Sequence, residues 1–341
     1  MINRTLLITG GAGFIGSHYV HMVARDHPNW TIRVLDLLTY CGNLANLEGL
    51  EGRIEFTKGD IADPDTVNEV MSGCDAVVHF AAESHVDRSL IDSRPFIHTN
   101  VIGTQVLLDA CRRQDVQRFL HVSTDEVYGD VAGTDALSLE SDPFRPRSPY
   151  AASKAAAEHL VQASHVSFGL DTVITRGSNT YGPNQYPEKI IPLFSTNAID
   201  DADLPIYGRG DALRDYMHVE DHCLGIATVL EHGKAGEAYN LGARLEVTGR
   251  EVAESILQAM HKPESLMRYV DDRPGHDYRY AVDPSKAESL GWQRQWSFED
   301  GLPATVQWYA NHESWWRDIK AGTHYKSHDA AWYESRPSAS S

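Results

Sequence analysis

The stretch Thr5-Leu6-Leu7-Ile8-Thr9-Gly10-Gly11-Ala12-Gly13-Phe14-Ile15-Gly16 decides how this chain is read. Its first five residues are short, apolar or β-branched, as a buried strand is. A glycine cluster follows, and a helical stretch from Phe14 to about Arg25 opens out of it. Glycines let a backbone turn sharply and approach a pyrophosphate closely, and a helix N-terminus offers free N–H groups to its charge. Gly10, Gly13 and Gly16, with Phe14 and Ile15 between them, are therefore the first candidate binding residues. Asp36 ends the next strand, Thr31 to Asp36, 20 residues beyond Gly16. An acidic residue there meets the adenosine ribose hydroxyls of a dinucleotide. The residues after it are Leu37-Leu38-Thr39, with no Arg to receive a second phosphate, so NAD is expected rather than NADP. Asp60 follows a third strand, Ile54 to Lys58, and either accepts from the adenine amino group or caps the helix that Pro64 opens.

Working outward, the strand–helix rhythm continues. Asp75 to His79 reads as strand four, Pro95 to Arg113 as a long helix, and Arg118 to Ser123 as strand five. Ser148 to Phe168 is another long helix and Asp171 to Arg176 strand six. Runs such as Ala76-Val77-Val78 are apolar without alternation, as in a sheet covered on both faces. This is the pattern of an α/β, Rossmann-like doubly wound parallel sheet. After Arg176 the prolines Pro183, Pro187, Pro192 and Pro205 break the rhythm. The expected division is a dinucleotide-binding domain over 1–176, with a returning segment at about 213–236. A smaller, mixed α/β C-terminal substrate domain then occupies 177–325, discontinuously, with a flexible tail over 326–341.

Lys plus Arg number 30 and Asp plus Glu 48, a net charge of −18. So acidic a surface argues against a nucleic-acid backbone or an anionic membrane as partner, though not against a phosphorylated small molecule held by a few arginines. No apolar run is long enough to span a bilayer, and Leu6-Leu7-Ile8 runs straight into glycines rather than forming a signal peptide. The four cysteines, Cys41, Cys74, Cys111 and Cys223, suit neither a disulfide framework nor zinc. A cytoplasmic protein with reduced thiols is expected, and no metal is assigned.

Tyr150 and Lys154 in Tyr150-Ala151-Ala152-Ser153-Lys154 fall on one helical face. A nearby ammonium favours the phenolate and makes proton removal from an alcohol feasible. Ser123-Thr124-Asp125-Glu126 stands at the C-terminal end of strand five, outside which ligands bind in open α/β sheets. The cluster either carries chemistry or caps the next segment.

With these motifs the chain resembles the extended short-chain dehydrogenases/reductases, and within them the dTDP-glucose 4,6-dehydratases. The resemblance rests on Thr9 to Gly16, His79-Phe80-Ala81-Ala82-Glu83-Ser84-His85-Val86-Asp87, Ser123 to Gly129, and Tyr150 with Lys154. It continues through Arg176 to Pro183, Pro187-Glu188-Lys189, Arg214-Asp215-Tyr216 and Asp272-Arg273-Pro274-Gly275-His276-Asp277, and so covers nearly the whole chain to about Tyr325. Its most specific part is Thr124-Asp125-Glu126, because similar epimerases generally lack the Asp–Glu pair.

The resemblance implies a hydro-lyase that converts a nucleotide-linked glucose, dTDP-glucose above all, into the 4-keto-6-deoxy sugar and water. Tyr150 as phenolate takes the C4 hydroxyl proton while NAD takes hydride from C4. Thr124 hydrogen-bonds at the C4 oxygen. Glu126 removes the C5 proton, a protonated Asp125 donates to the leaving C6 hydroxyl, and the hydride returns to C6. Further cofactor contacts are implied at Leu37, Thr39, Ile61, Phe80, Ala81, Ala82, Ser84 and Thr99. Nucleotide-sugar contacts are implied at Ser84, His85, Thr124, Asn179, Lys189, Ile190, Pro205, Tyr207, Arg214, Arg273 and His276. Two positions depart from the family pattern: Thr180 and Gly249 stand where asparagines are usual, which leaves diphosphate and base recognition open. The alternatives are a nucleotide-sugar 4-epimerase or decarboxylase on the same scaffold, a 4,6-dehydratase of another nucleotide such as UDP-glucose, and a non-enzymatic NAD-sensing or interaction protein. A homodimer is expected, built on the helices ending near Arg113 and starting near Ser148, with Val101, Val106, Leu107, Leu108, Leu160 and Val161 as their apolar content.

Overall fold

The computed structural model of the chain describes residues 4–272, 275–329 and 332. It begins with β1 (Thr5–Thr9), α1 (Phe14–Asp26), β2 (Thr31–Asp36), β3 (Ile54–Lys58), α2 (Pro64–Met71) and β4 (Ala76–His79). Two short helices, α3 (Val86–Ile91) and α4 (Arg94–Phe96), lead through a π-helical turn (Ile97–Gly103) into α5 (Thr104–Arg113). Then come β5 (Arg118–Thr124), α6 (Pro149–Phe168), β6 (Thr172–Gly177) and β7 (Asn179–Tyr181). The long helix expected over 95–113 is thus interrupted. The wider turn coincides with Asn100, whose buried side chain accepts from the Glu83 N–H at 2.9 Å and donates to the Ser153 hydroxyl at 2.8 Å. α6 starts where Ser148 caps it, its Oγ accepting from the Ala151 N–H at 3.1 Å, with Pro149 in the first turn.

The rest of the chain forms α7 (Ile190–Ile199), β8 (Leu204–Tyr207), β9 (Leu213–His218), α8 (Val219–His232), β10 (Ala238–Leu241) and β11 (Glu246–Thr248). These are followed by α9 (Gly249–Ala259), β12 (Met267–Val270), α10 (Ser285–Glu288), α11 (Phe298–Asn311), α12 (Glu313–Ala321) and α13 (Thr323–Asp329).

Seven strands form one parallel sheet in the order β10-β6-β5-β4-β1-β2-β3. One face packs on α1 and α8 through residues such as Tyr19, Val23, Ile226 and Val229. The other packs on α2, α5 and α6 through Val67, Leu107, Leu108 and Val161. Strand order reverses between β1 and β4, which opens a crevice at their C-terminal ends. Within the segment 213–236, α8 packs against α1, whereas β9 pairs with β7 and β11 in a small separate sheet. β10 extends the large sheet although it lies just past 236. β8 and β12 make a two-stranded sheet, and a third core, including Ile191, Phe194, Ile206 and Val252, gathers α7, α9 and α11 around these small sheets.

Two further expectations change. The tail reading at 326 starts too early, because α13 runs to Asp329 and the buried Trp332 donates its indole N–H to the Tyr207 hydroxyl at 2.7 Å; residues 330–331 and 333–341 lie outside the described set. Leu107, Leu108 and Val161 are fully buried in the chain's own core and cannot serve a partner. The apolar groups those helices and the π turn expose are Ile97, Ile102, Val166 and Phe168.

Candidate active site

The glycine turn sits at the crevice. Gly10 has φ +71°, and a Cβ there would lie 2.5 Å from the backbone nitrogen of Ala81, two residues past the end of β4. A Cβ on Gly16 would lie 2.2 Å from the Gly10 carbonyl oxygen. Only glycine permits this approach of loop, strand and helix. α1 begins at Phe14 after Gly13, with no side-chain cap and no acidic residue in its first turn, so its free N–H groups are left for an anion. Asp36 braces the same turn: its two oxygens accept from the Ala12 and Leu38 N–H groups at 2.9 and 2.8 Å. Burial pushes its carboxyl above the ordinary range.

These groups line one cleft of about 280 Å³ together with Phe14, Ile15, Leu37, Thr39, Ile61, Phe80, Ala81, Ala82, Ser84 and Thr99. Asp60 lines it too, with one oxygen accepting from the Ala62 N–H at 2.8 Å and the other 3.0 Å from His98 Nε2. The capping of α2 falls instead to Asp63, which accepts from the Asp65 N–H. A bare helix terminus, a cradle that a Cβ would fill and an aspartate at the end of β2 are the donor set a dinucleotide requires.

The same cleft holds Thr124, Asp125, Glu126, Tyr150 and Lys154. β5 runs directly into a one-turn 3₁₀ helix, Asp125–Tyr128, with Thr124 as its cap. Thr124 Oγ1 accepts from the Glu126 N–H at 3.2 Å and donates to Asp125 Oδ1 at 3.3 Å. The cluster therefore caps a helix and faces the cleft at once. Asp125 is 3% exposed, and its Oδ2 has no hydrogen-bond partner among the described residues. Burial first, then the negative charges of Glu126 and Asp215, push its carboxyl well above the usual range against the pull of Arg214. Both causes favour the protonated form of Asp125 over the carboxylate.

Tyr150 hydrogen-bonds to Thr124, and burial raises its phenol above the ordinary value, with Glu126 adding to the rise. The expected stabilisation of a phenolate by Lys154 is overridden here. The ammonium is anchored to the Val122 carbonyl, with Nζ donating at 2.7 Å. Burial brings Lys154 down to about 8, although Glu158 pulls the other way.

A second cleft of about 160 Å³ adjoins the first, and Glu126, Asn179, Glu188 and Lys189 line both. His85, Ile190, Pro205, Tyr207, Arg214 and His276 line the second, while Ser84 and Thr124 line only the first. Lys189 reaches across to the Ser84 carbonyl at 3.1 Å. Arg214 is buried against the Tyr280 ring, 4.6 Å from its centroid, and donates to the Leu213 and Asp277 carbonyls at 2.7 and 2.8 Å. His276 Nδ1 lies 2.7 Å from Asp272 Oδ1. Arg273 lies outside the described residues.

Of the two departures, Thr180 Oγ1 lies 2.7 Å from His222 Nδ1 and donates to the Ser178 carbonyl at 3.2 Å. Gly249 lines the second cleft, where a Cβ would meet only ordinary contacts at 3.6 Å or more. Sequence reasoning gave no role to Glu188 and did not find Tyr280. Glu188 is buried at the junction of the clefts and paired with Arg88 at 2.8 Å. Its place in Pro187-Glu188-Lys189 was a usable signal, whereas nothing in the spacing marks Tyr280.

A crevice of this kind, with a tyrosine–lysine pair beside a Thr–Asp–Glu turn, defines the class as an extended short-chain dehydrogenase/reductase. The chain belongs to the GDP-mannose 4,6 dehydratase family, whose model matches residues 7–305. It is 47% identical over 323 residues to a dTDP-glucose 4,6-dehydratase of Streptomyces niveus, covering 93% of this chain and 96% of the relative. DesIV, the dTDP-glucose 4,6-dehydratase of Streptomyces venezuelae solved with NAD bound, has a TM-score of 0.90 at 48% identity, covering 93% of this chain and 100% of that one. The UDP-glucose 4-epimerase of Thermus thermophilus, solved as a complex with NAD, has a TM-score of 0.84 at 32% identity, covering 91% and 100%. Fold alone does not separate the two activities, so the weight falls on individual side chains.

Proposed function

We propose that this protein is an NAD-dependent hydro-lyase that converts dTDP-glucose into its 4-keto-6-deoxy derivative and water. The observation that carries the reading is the buried Asp125 carboxyl beside Glu126, with its Oδ2 unpartnered among the described residues and its Oδ1 held by the Thr124 hydroxyl that meets Tyr150. A C5/C6 elimination needs one acid and one base on neighbouring carbons, and two adjacent carboxyls in unlike environments supply both.

Gly10, Gly13, Gly16 and the first turn of α1 hold the pyrophosphate, Asp36 the adenosine ribose and Asp60 the adenine. Bound NAD supplies the hydride acceptor at C4, the hydride donor at C6 and a positive charge in the cleft. Tyr150 takes the proton of the C4 hydroxyl, and Thr124 holds that oxygen. Lys154 keeps a cation close by, which lowers the cost of the phenolate. The C4 ketone acidifies the C5 hydrogen, which Glu126 removes. Asp125 gives its proton to the C6 hydroxyl, which leaves as water. Arg214 and Lys189 offer cations to the diphosphate in the second cleft.

The division between a dinucleotide domain and a discontinuous nucleotide-sugar domain is part of this proposal and is supported by the separate core around β8, β9 and α9. A homodimer is proposed through the exposed apolar groups Ile97, Ile102, Val166 and Phe168. A cytoplasmic location is proposed because none of the four cysteines is in a disulfide; no helix among the described residues is long and apolar enough to cross a membrane.

The test is dTDP-glucose carrying deuterium at C4. The dehydratase moves the label to C6 of the same molecule while C5 gains hydrogen from solvent. Label that stays at C4 means a 4-epimerase instead.

A further inference from the structure

Behind the catalytic residues lies a buried polar cluster that this chemistry does not use. Arg176 on β6 is 1% exposed. Its Nε and Nη2 donate to the Glu158 carboxylate at 2.8 to 3.2 Å, and its Nη1 donates to the Tyr128 hydroxyl at 2.6 Å and the Glu140 carbonyl at 3.1 Å. Tyr128 in turn donates to Asn240 Oδ1 on β10 at 2.7 Å, and Asn240 Nδ2 donates to the Ser138 carbonyl at 2.9 Å. The guanidinium lies 5.0 Å from the Tyr128 ring centroid and 4.7 Å from that of Phe144.

The value of the cluster lies in what it joins. Glu158 is one helical turn beyond Lys154 and two beyond Tyr150, on the same face of α6. Tyr128 closes the single turn that opens with Asp125 and Glu126. Arg176 grips both partners with one rigid fork, which a lysine cannot imitate. A buried ion pair adds little net stability over apolar packing, because both charges lose their water. Its contribution here is geometric. The pair that oxidises C4 and the pair that eliminates across C5 and C6 sit on different elements, and a shift of about 1 Å between them is enough to cost on the order of a hundredfold in rate.

We propose that Arg176 and Tyr128 are positioning residues for the elimination half of the reaction, holding the Asp125–Glu126 turn at a set distance from the Tyr150–Lys154 helix. The proposal rests on the dehydratase reading above. One sugar must present C4 to Tyr150 while C5 and C6 face the carboxyls; Tyr150–Thr124 and Lys154–Val122 tie the helix to the end of β5, and the Arg176–Tyr128 link holds the far end of the turn, so that without it Asp125 and Glu126 lose register with the helix.

The experiment uses Tyr128→Phe, which deletes one hydroxyl and keeps the ring and the Arg176–Glu158 pair. Single turnovers with dTDP-glucose are followed by nicotinamide absorbance for C4 oxidation and by C5 solvent-hydrogen incorporation for elimination, both normalised to folded, cofactor-bound protein. C4 oxidation is expected to stay within about twofold of the unmutated rate while elimination slows about tenfold or more, so that reduced cofactor accumulates. Arg176→Lys, which keeps a cation beside Glu158, is expected to show the same imbalance more strongly. If the two steps fall in equal proportion, or neither changes, in Tyr128→Phe, the residues are merely structural and the proposal is overturned. An unmutated protein that oxidises C4 but never eliminates water would remove the reaction on which the proposal rests.

Discussion

Replacing Lys154 with Met should make the protein more stable and nearly inactive. The ammonium is 3% exposed, and burial brings it from its ordinary 10.5 to about 8. At 1.36 kcal/mol per pH unit, keeping this charge folded at neutral pH costs about 3 kcal/mol. Met has a similar length and no charge, so it removes that cost. It also removes the donor to the Val122 carbonyl, which gives back about 1–2 kcal/mol. The net gain is about 1–2 kcal/mol, or a few degrees in Tm. The pH dependence follows from the direction of the shift. Between about 8 and 10.5 the unfolded chain holds a proton on Lys154 that the folded chain has released, so stability from this residue rises with pH across that window. Below it both states are protonated and the cost is constant. Melting curves of cofactor-free protein, unmutated and Lys154→Met, between about pH 7 and pH 10 should therefore converge at the alkaline end. Activity should fall by at least about a hundredfold, because the ammonium one helical turn from Tyr150 is then gone. A variant less stable than the parent at pH 7, or a constant difference across the range, would refute the claim that function keeps a strained charge here.

Three other outcomes are expected. Asp36→Ala frees the Ala12 and Leu38 N–H groups that anchor the glycine turn, so NAD affinity measured by calorimetry should drop, its margin over NADP should narrow and stability should fall by about 1–2 kcal/mol. Tyr150→Phe should leave the cofactor oxidised on mixing with dTDP-glucose, whereas Glu126→Gln should show the absorbance of reduced nicotinamide with little 4-keto-6-deoxy product; identical traces would mean that the two residues do not act at different steps. Sedimentation at micromolar protein should give a dimer, and Phe168→Asp combined with Val166→Asp should give a folded monomer, since both side chains are more than half exposed in one chain.

Much of the fold is written locally. The strands from Thr5 to Gly177 and the glycine turn that opens α1 follow from short apolar runs, caps and glycines acting over a few residues, so they are legible in the sequence. β10 was not legible as part of the sheet, because its four residues carry no periodicity of their own. Only its register with Ile174 to Gly177 places it there. The π turn at Ile97–Gly103 was equally hidden, since Asn100 finds its partners at Glu83 and Ser153 through space. The active-site residue types were legible in Thr124-Asp125-Glu126 and Tyr150 with Lys154, and so was the upward push of Glu126 on its neighbour Asp125, but the part of Asp215 and the lowering of Lys154 were not. The Asp125 carboxyl is pushed up first because the fold takes water away from it, and then because Glu126 and, from far along the chain, Asp215 lie near it. Lys154 falls to about 8 by burial alone. Spacing sets which side chains share a face, whereas charge state depends on solvent exclusion and on neighbours distant in sequence, which exist only once the chain has closed around the cleft.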